Sequence, residues 1–267
     1  MLLWTYFSQI LPQFSLQQVS WLLSGFSKLG LRRTSLYQAV GDYVSRDHGH
    51  GLDGETGPAL LWCFARLHLY HENLVGDVLS SIPPFLGAAS PPSPSEVACA
   101  LTLESLSQLA WGLGILQSSA PDGVLPAVAS AAVSPITSSL SAPATLEHLH
   151  KKGVTDAVSL CFGLAALGAR RAVQGQPTEG GALLGKEEAA AVGALVAGLE
   201  AKKHLDLLPD GSVVELHQLL AWLRAEPPEA VGGVKVSEEL WSAVCGRFAE
   251  LEEEFFDGRG TTPSHAR

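Results

Sequence analysis

A leucine pattern that recurs along the chain is the sequence feature that most restricts its fold. With Leu29, Leu67, Leu116 and Leu167 as reference positions, another leucine stands seven residues before each of them. A small residue stands two positions before each reference leucine, and Phe or Leu stands three before it. Apolar residues at this spacing share one face of an α-helix, and a small residue beside them lets a neighbouring helix approach closely. The pattern therefore predicts an amphipathic first helix in each repeated unit.

A second apolar series, at four-residue steps, follows the first helix in three of the units. It begins seven residues after the reference leucine in the first two units and two residues later in the third. Such steps also place side chains on one helical face, so the sequence predicts a second helix in each unit. The series are Leu36, Val40 and Val44, then Leu74, Val78 and Ile82, then Leu125, Ala129 and Val133.

Two weaker segments extend the pattern towards the C-terminus. Leu216 and Leu223 mark a fifth first helix, and residues 186–203 fit the second helix of the fourth unit, with acidic residues at its start and lysines at its end. The unit spacing grows along the chain because inserts rich in Pro, Ser and Gly lengthen the loops. These inserts are residues 83–95, 134–144 and 174–185.

The repeats predict an all-α protein. One helical hairpin cannot bury both faces of its helices, so neighbouring units must stack, which favours an α-solenoid of about five helix-turn-helix repeats in a single domain, residues 1–256. Residues 237–256 are predicted to form a C-terminal capping helix, and 257–267 a disordered tail. The repeats are predicted at about 15–45, 55–85, 97–134, 145–203 and 211–256.

The charge balance restricts the class of partner. The chain has 17 Lys and Arg against 27 Asp and Glu, a net charge of −10, whereas a general nucleic-acid binder needs a basic surface. Residues 1–41 nevertheless contain no Asp or Glu. Only 16% of residues are charged while 46% are hydrophobic, which favours a surface partly covered by other subunits. We therefore expect protein partners within a large assembly.

Other composition signals concern the compartment and the core. The 4 cysteines include no C-x-x-C pair, which is typical of buried thiols in a reducing compartment. No run of 18 uncharged apolar residues stands out, so we expect no membrane insertion. The acid-free N-terminus is compatible with organellar import and equally with a first folded repeat. Trp62 and Trp111 share one column of the pattern, and we expect about four of the six tryptophans in the core.

No set of residues in the sequence indicates catalysis or metal binding. His68 and His71 stand three apart without a Cys pair or a carboxylate at ligand spacing, so no metal site is predicted. Residues 180–186 match the G-x-x-x-x-G-K spacing of a phosphate loop, but Glu187 follows where Ser or Thr should bind Mg²⁺. We therefore expect no enzyme, no cofactor and no small-molecule substrate. Two further histidine pairs are His48 with His50 and His148 with His150.

The repeated segments resemble known organellar helical repeats of roughly 38 residues. The segments are W-L-L-S-G-F-S-K-L-G-L-R-R at 21–33, L-L-W-C-F-A-R-L-H-L at 60–69, Q-L-A-W-G-L-G-I-L at 108–116 and S-L-C-F-G-L-A-A-L-G-A-R-R at 159–171. They are similar to octotricopeptide and heptatricopeptide repeats, including those that precede FAST-kinase-like and RAP domains. The resemblance covers about 15–225 and does not include a RAP domain.

The resemblance implies a function. Families of this kind are mitochondrial or plastid proteins that bind organellar RNA, and some are structural components of mitochondrial ribosomes. We therefore expect a non-catalytic protein of the mitochondrial matrix that contacts ribosomal RNA and neighbouring proteins. The alternative is a protein-binding scaffold or accessory subunit of another mitochondrial complex without RNA contact. The candidate RNA-binding residues are Arg32, Arg33, Arg170, Arg171, Lys151 and Lys152.

The arginine pairs are the most informative of these candidates. Arg32 with Arg33 and Arg170 with Arg171 stand at the same distance after the reference leucines of the first and fourth units. Cations at such a turn can contact phosphate, or they can complement the dipole at a helix C-terminus. The two interpretations differ in a testable way, because neighbouring carboxylates that neutralise the pairs favour the protein scaffold.

Overall fold

The computed structural model describes residues 10–48, 52–81, 101–116, 124–141, 147–175, 181–202 and 204–256. These parts of the chain contain ten α-helices and no β-strand, which confirms the all-α class. Short 3-10 turns at Leu11–Gln13 and His204–Leu207 and a π-turn at Val44–His48 flank them. The helices are α1 (Leu16–Lys28), α2 (Thr34–Tyr43), α3 (Thr56–Arg66), α4 (Glu72–Ser81), α5 (Leu103–Leu116), α6 (Val124–Ser141), α7 (Glu147–Val173), α8 (Lys186–Lys202), α9 (Asp210–Ala225) and α10 (Glu238–Phe256).

The helices alternate between two layers. In the first-helix layer, α1 packs on α3, α3 on α5, α5 on α7 and α7 on α9. In the other layer, α2 packs on α4, α6 on α8 and α8 on α10. Five pairs of successive helices also pack together, namely α3 with α4, α5 with α6, α6 with α7, α7 with α8 and α9 with α10. The helices fall two at a time within the ranges that the leucine pattern predicts, except that α6 extends further.

The leucine columns form the core, as predicted. Of the leucines seven positions before the reference residues, Leu60, Leu109 and Leu160 are completely buried, whereas Leu22 is half-buried. The reference leucines of the second and fourth units are buried as well. Burying one leucine contributes roughly 1.5–3 kcal/mol. Leu29 is the exception, because its side chain is 74% exposed. Helix α1 ends at Lys28, so Leu29 lies in the turn that follows.

The ends of α1 and α3 have the same backbone geometry. At the first, Leu31 N–H donates to the Phe26 carbonyl at 2.9 Å, and at the second Leu69 N–H donates to the Phe64 carbonyl at 3.0 Å. These bonds require a left-handed residue between them, which is Gly30 at φ +67° in one turn and His68 at φ +51° in the other. The two units therefore repeat in hydrogen bonding as well as in sequence.

Sequence-encoded caps begin two of the helices. Ser15 and Gln18 form a capping box at α1, in which Gln18 N–H donates to Ser15 Oγ at 3.2 Å and Ser15 N–H donates to Gln18 Oε1 at 2.9 Å. At α10, Leu240 N–H donates to Ser237 Oγ at 3.2 Å. The bounds of α8 and α10 confirm the helices predicted over 186–203 and 237–256 to within one residue.

The predicted insert at 134–144 is wrong over its described part. Helix α6 continues through Pro135 to Ser141. Proline in a helix interior costs about 3 kcal/mol, but Ile136 and Leu140 are buried after it, and two buried apolar side chains offset a cost of that size. The predicted insert at 83–95 and the predicted disordered tail at 257–267 lie outside the described residues.

Among the described helices, two are long and apolar enough to cross a membrane by length and composition, whereas the sequence led us to expect no membrane insertion. They span Val124–Ser141 and Lys151–Val173. About half of each window, 50% and 56%, is buried inside the protein. A core helix of a soluble protein passes the same criterion, so the two helices are weak evidence of a membrane span.

The cysteines and tryptophans follow the predictions in part. Cys63 and Cys161 are buried free thiols, as predicted, and burial raises the pKa of Cys63 to about 12. Trp62 packs partly buried against the core. Trp21 is 65% exposed, so this ring is not a core residue. Cys99 and Trp4 lie outside the described part of the chain.

Close packing of α5 on α7 gives a first prediction. A Cβ at Gly163 would lie 2.5 Å from the backbone nitrogen of Trp111, whereas a Cβ at Gly193 in α8 would meet nothing closer than 3.9 Å. Gly163→Ala should therefore lower the free energy of unfolding by about 1–2 kcal/mol, since overpacking exceeds the gain in helix propensity. Gly193→Ala, the matched control, should raise it by up to about 1 kcal/mol. Urea denaturation measures both, and equal effects would contradict the close contact.

Candidate functional site

The first predicted cation pair lies on an open turn. Arg32 and Arg33 are exposed between α1 and α2, and Arg32 Nη2 donates to the His68 carbonyl of the next turn at 3.4 Å. Within the described residues neither guanidinium forms an ion pair with a carboxylate. Both positive charges therefore face solvent.

Further cations extend this turn into a surface. Lys28 at the end of α1 and Arg66 at the end of α3 are exposed, and Arg66 Nε donates to the Ser27 carbonyl at 3.3 Å. Large apolar side chains accompany the cations, because Leu29, Leu31 and Tyr70 are 74%, 43% and 58% exposed. We name this surface the basic turn edge, and its members are Lys28, Leu29, Leu31, Arg32, Arg33, Arg66 and Tyr70.

The second arginine pair has a different environment. Arg170 and Arg171 lie within the last turn of α7, not on a turn after it, because α7 continues to Val173. Arg171 Nη2 donates to Glu188 Oε1 at 3.0 Å, and the Glu188 side chain is 1% exposed. The expected structural equivalence with Arg32 and Arg33 is therefore wrong. The longer helix places Arg171 against the start of α8, where a buried carboxylate neutralises it.

Only one lysine of the predicted RNA-binding pair lacks a carboxylate partner among the described residues. Lys151 and Lys152 are exposed near the start of α7. Lys152 Nζ donates to Glu104 Oε2 on α5, and this hydrogen bond is the main cause that raises the pKa of Lys152. A carboxylate thus offsets the charge of Lys152, while Lys151 has no ion pair within the described residues.

A second surface lies on the solvent side of the first-helix layer. The Trp62 and Trp111 rings, on α3 and α5, lie with centroids 6.5 Å apart. The Arg66 guanidinium lies 5.2 Å from the Trp62 centroid in a cation–π contact. Both rings are half-buried, so each presents part of its surface to solvent. We name the surface around them the tryptophan face.

Glu215 joins three helices on this face. Trp111 Nε1 donates to Glu215 Oε1 at 2.9 Å, and Ser159 Oγ donates to Glu215 Oε2 at 2.6 Å. Trp111 is on α5, Ser159 on α7 and Glu215 on α9, so the carboxylate reaches across α7. Helices two places apart in the layer are thus joined through long side chains. Burial raises the pKa of Glu215, and its two hydrogen bonds and Arg66 oppose the shift.

Carboxylates predominate on the middle of the tryptophan face. Asp156, one turn beyond Lys152 on α7, has its pKa raised to about 7 by burial, with Glu104 adding to the shift and Lys152 opposing it. Glu55, beside the start of α3, is close enough to raise the pKa of Lys152. The tryptophan face is thus Glu55, Trp62, Arg66, Glu104, Trp111, Lys152, Asp156, Ser159 and Glu215.

Sequence reasoning missed most of the tryptophan face. The column with Trp62 and Trp111 was visible, but both rings were assigned to the core. Ser159 and Glu215 each stand eight residues before the reference leucine of their unit, as exposed Trp21 does in the first. The position is polar in the last three units, where Gln108, Ser159 and Glu215 occupy it, but it is Ala59 in the second unit, so the sequence offered only a partial signal. The contact between Trp111 and Glu215 joins residues 104 positions apart, and the repeat does not encode such a distant pairing.

Two other sequence motifs, the Gly-rich segment at 180–186 and the His68/His71 pair, show no site geometry in the part of the chain that the structure describes. The end of segment 180–186 adjoins a cleft of about 910 Å³ beside the start of α8. Glu187 and Glu188 line it, and their carboxylates at the helix N-terminus oppose phosphate binding. His71 is buried, 3.3 Å from Asp42, and its Nδ1 accepts the Leu74 N–H. In the described ranges, no three His, Cys, Asp or Glu side chains are grouped as metal ligands would be.

The structure does not test the predictions for two histidine pairs and for the start of the Gly-rich segment. The side chains of His48, His50, His148 and His150 lie outside the described residues, as does Gly180. No known protein-family model matches the chain, and no curated protein matches it at a significant level.

Breaking the Arg171–Glu188 pair should strongly destabilise the protein. Arg171→Ala leaves the Glu188 carboxylate buried without its cation, which we expect to cost about 3 kcal/mol in free energy of unfolding. The double variant Arg171→Met with Glu188→Leu removes both charges and should recover most of that loss. Arg32→Ala, on the open turn, should change stability by no more than about 0.5 kcal/mol. Urea denaturation compares the three, and a double variant as unstable as Arg171→Ala would contradict the pairing.

Asp156 should make stability depend on pH. Its folded pKa of about 7 lies above the unfolded value near 3.9, so protonation favours the fold. The stability this gives is present below about pH 4 and is lost as the pH rises to about 7. Asp156→Asn should therefore raise the free energy of unfolding by roughly 1–3 kcal/mol at about pH 8 and change it little at about pH 4.

Denaturation by urea at the two pH values provides the test. Glu253→Gln removes an exposed carboxylate from α10 and should have no effect at either pH. If Asp156→Asn acts equally at both pH values, the carboxyl is not desolvated as described.

Proposed function

We propose that the chain is a non-catalytic α-solenoid of five helix-turn-helix repeats and a structural component of a mitochondrial ribonucleoprotein in the matrix. The most specific form of the proposal is a mitochondrial ribosomal protein that contacts ribosomal RNA and neighbouring subunits. The observation that carries it is the basic turn edge, where four cations of the first two units lack carboxylate partners among the described residues. The association with organellar RNA comes from the sequence resemblance.

Several structural features support the repeat interpretation. The helices alternate between two layers in chain order. The turns after α1 and α3 repeat the same pair of hydrogen bonds. Stacked hairpins of this kind present long surfaces to partners, which suits a component that touches several subunits at once.

Fewer cations are available to contact RNA than the sequence alone predicted. Arg171 and Lys152 are engaged with Glu188 and Glu104, so they have less charge to offer a phosphate. Arg32, Arg33 and Lys28 remain, while Arg66 also contacts the Trp62 ring. Exposed Tyr70 beside them offers a ring on which an unpaired base can stack. We therefore assign the principal RNA contact to the basic turn edge, with Lys151 as a separate minor contact.

A protein scaffold without RNA contact is the second candidate. It is favoured by Leu29 and Leu31, which are exposed at the same edge and have no use in phosphate binding. The neutralised cations of α7 favour it as well. In this case the basic turn edge binds an apolar segment of another subunit, and the net charge of −10 is no obstacle.

Binding of single-stranded RNA by the purified chain discriminates between the two. Arg32→Glu with Arg33→Glu should weaken binding of a labelled oligonucleotide by at least about tenfold at low salt. The dependence of log affinity on log salt should lose about 0.7 for each cation removed. Lys151→Glu with Lys152→Glu changes the charge equally and should have a smaller effect. Equal losses of affinity in the two double variants would indicate non-specific electrostatic attraction. If the wild type does not bind RNA at all, the protein scaffold is the candidate function that remains.

The assembly is tested in gently lysed mitochondria from cells that express the tagged chain. Sedimentation with ribosomal particles that collapses after ribonuclease treatment is the expected result. A position in the gradient that is unchanged by ribonuclease contradicts the ribonucleoprotein and favours the scaffold.

A further inference from the structure

The tryptophan face combines two features that a positively charged ligand needs. Four carboxylates, of Glu55, Glu104, Asp156 and Glu215, face two cations, those of Lys152 and Arg66. Two half-buried indole rings lie among them, with 6.5 Å between centroids. Carboxylates pair with guanidinium and ammonium groups, and indole rings attract the same groups through their π faces.

We propose that the tryptophan face binds a flexible Arg- and Lys-rich segment of a neighbouring protein. This inference deepens the protein-contact part of the proposed function by naming the chemistry of one partner. Its test does not depend on RNA binding, because the RNA test changes Arg32 and Arg33, which belong to the basic turn edge alone, although Arg66 adjoins both surfaces.

The chain's own side chains show how such a ligand is held. The Arg66 guanidinium already lies over the Trp62 ring at 5.2 Å, and the Lys152 ammonium already pairs with Glu104. A partner's guanidinium can use the exposed part of Trp111 in the same way. Asp156 is the carboxylate left over, since none of the described residues donates a hydrogen bond to it and Lys152 is engaged by Glu104.

Asp156 couples this binding to protonation. The charged groups that act on it are Glu104 from α5 and Lys152 from its own helix, and the described residues of α6, α8 and α9 add none. A cation placed beside Asp156 stabilises the ionised carboxylate and lowers its pKa, so the ligand should bind more tightly as the pH rises. RNA is the wrong ligand for this face, because the same carboxylates repel phosphate.

The experiment measures the affinity of the purified full chain for a labelled peptide of alternating Arg and Gly, acetylated and amidated at its ends. Asp156→Asn with Glu104→Gln should weaken binding by about tenfold at about pH 8. Glu252→Gln with Glu253→Gln removes two exposed carboxylates of α10 and is the matched control, which should bind as the wild type does. A peptide of alternating Glu and Gly should not bind.

The pH dependence gives a second readout. Between about pH 6 and pH 8 the affinity of the wild type should rise by up to about tenfold, because Asp156 ionises in that range and arginine does not titrate. Asp156→Asn should lose this dependence. The single variant is expected to be at least as stable as the wild type, so weaker binding cannot result from unfolding.

Three results overturn the inference: no binding of the Arg peptide, equal losses in the two double variants, or the same pH dependence in Asp156→Asn and the wild type. None of them bears on the RNA test, which uses Arg32 and Arg33. If the wild type binds the Arg peptide but not RNA, only the ribonucleoprotein proposal is contradicted. If it binds RNA but not the Arg peptide, only this inference is contradicted.

Discussion

The close approach of α5 and α7 determines the arrangement of the first-helix layer. A Cβ at Gly163 would lie 2.5 Å from backbone atoms of α5, and a Cβ at Gly114 would lie 2.9 Å from the Gly163 carbonyl oxygen. Without side chains at these points the two helices pack backbone against backbone. Trp111 and Ser159 then lie close enough to share the Glu215 carboxylate, which draws α9 towards both helices. The packing of α5 on α7 in the core thereby positions the side chains of the tryptophan face.

Electrostatic pairing divides the chain into two parts with different properties. In the first two units, cations such as Arg32 and Arg33 lie on turns, and the sequence supplies no carboxylate before residue 42 to meet them. In the later units, Lys152 and Arg171 meet carboxylates from the neighbouring helix. The net charge of −10 conceals this division. A protein that is acidic overall can therefore still present one edge to an anionic partner.

The sequence predicted those features that depend on helical phase alone. Leu60, Leu109 and Leu160 repeat at a fixed register, and a register is enough to place a side chain in the core. Helix ends were less predictable, because the extension of α6 past Pro135 depends on what its last turns bury. The site was least predictable. Lys152 could be singled out as a cation, but its partner Glu104 is 48 residues away and meets it only through packing of α5 on α7.

Two half-buried carboxylates on one face are consistent with the proposed partner on energetic grounds. Burial alone disfavours the charged forms of Asp156 and Glu215, and it raises the pKa of both. Glu215 is compensated within the chain by Trp111 and Ser159, whereas Asp156 has only the shared attraction of Lys152. Ionised Asp156 lowers the stability of the isolated chain, and a cation bound beside it would stabilise the carboxylate and reduce this destabilisation. A positively charged ligand on the tryptophan face would therefore supply the compensation that Asp156 lacks among the described residues.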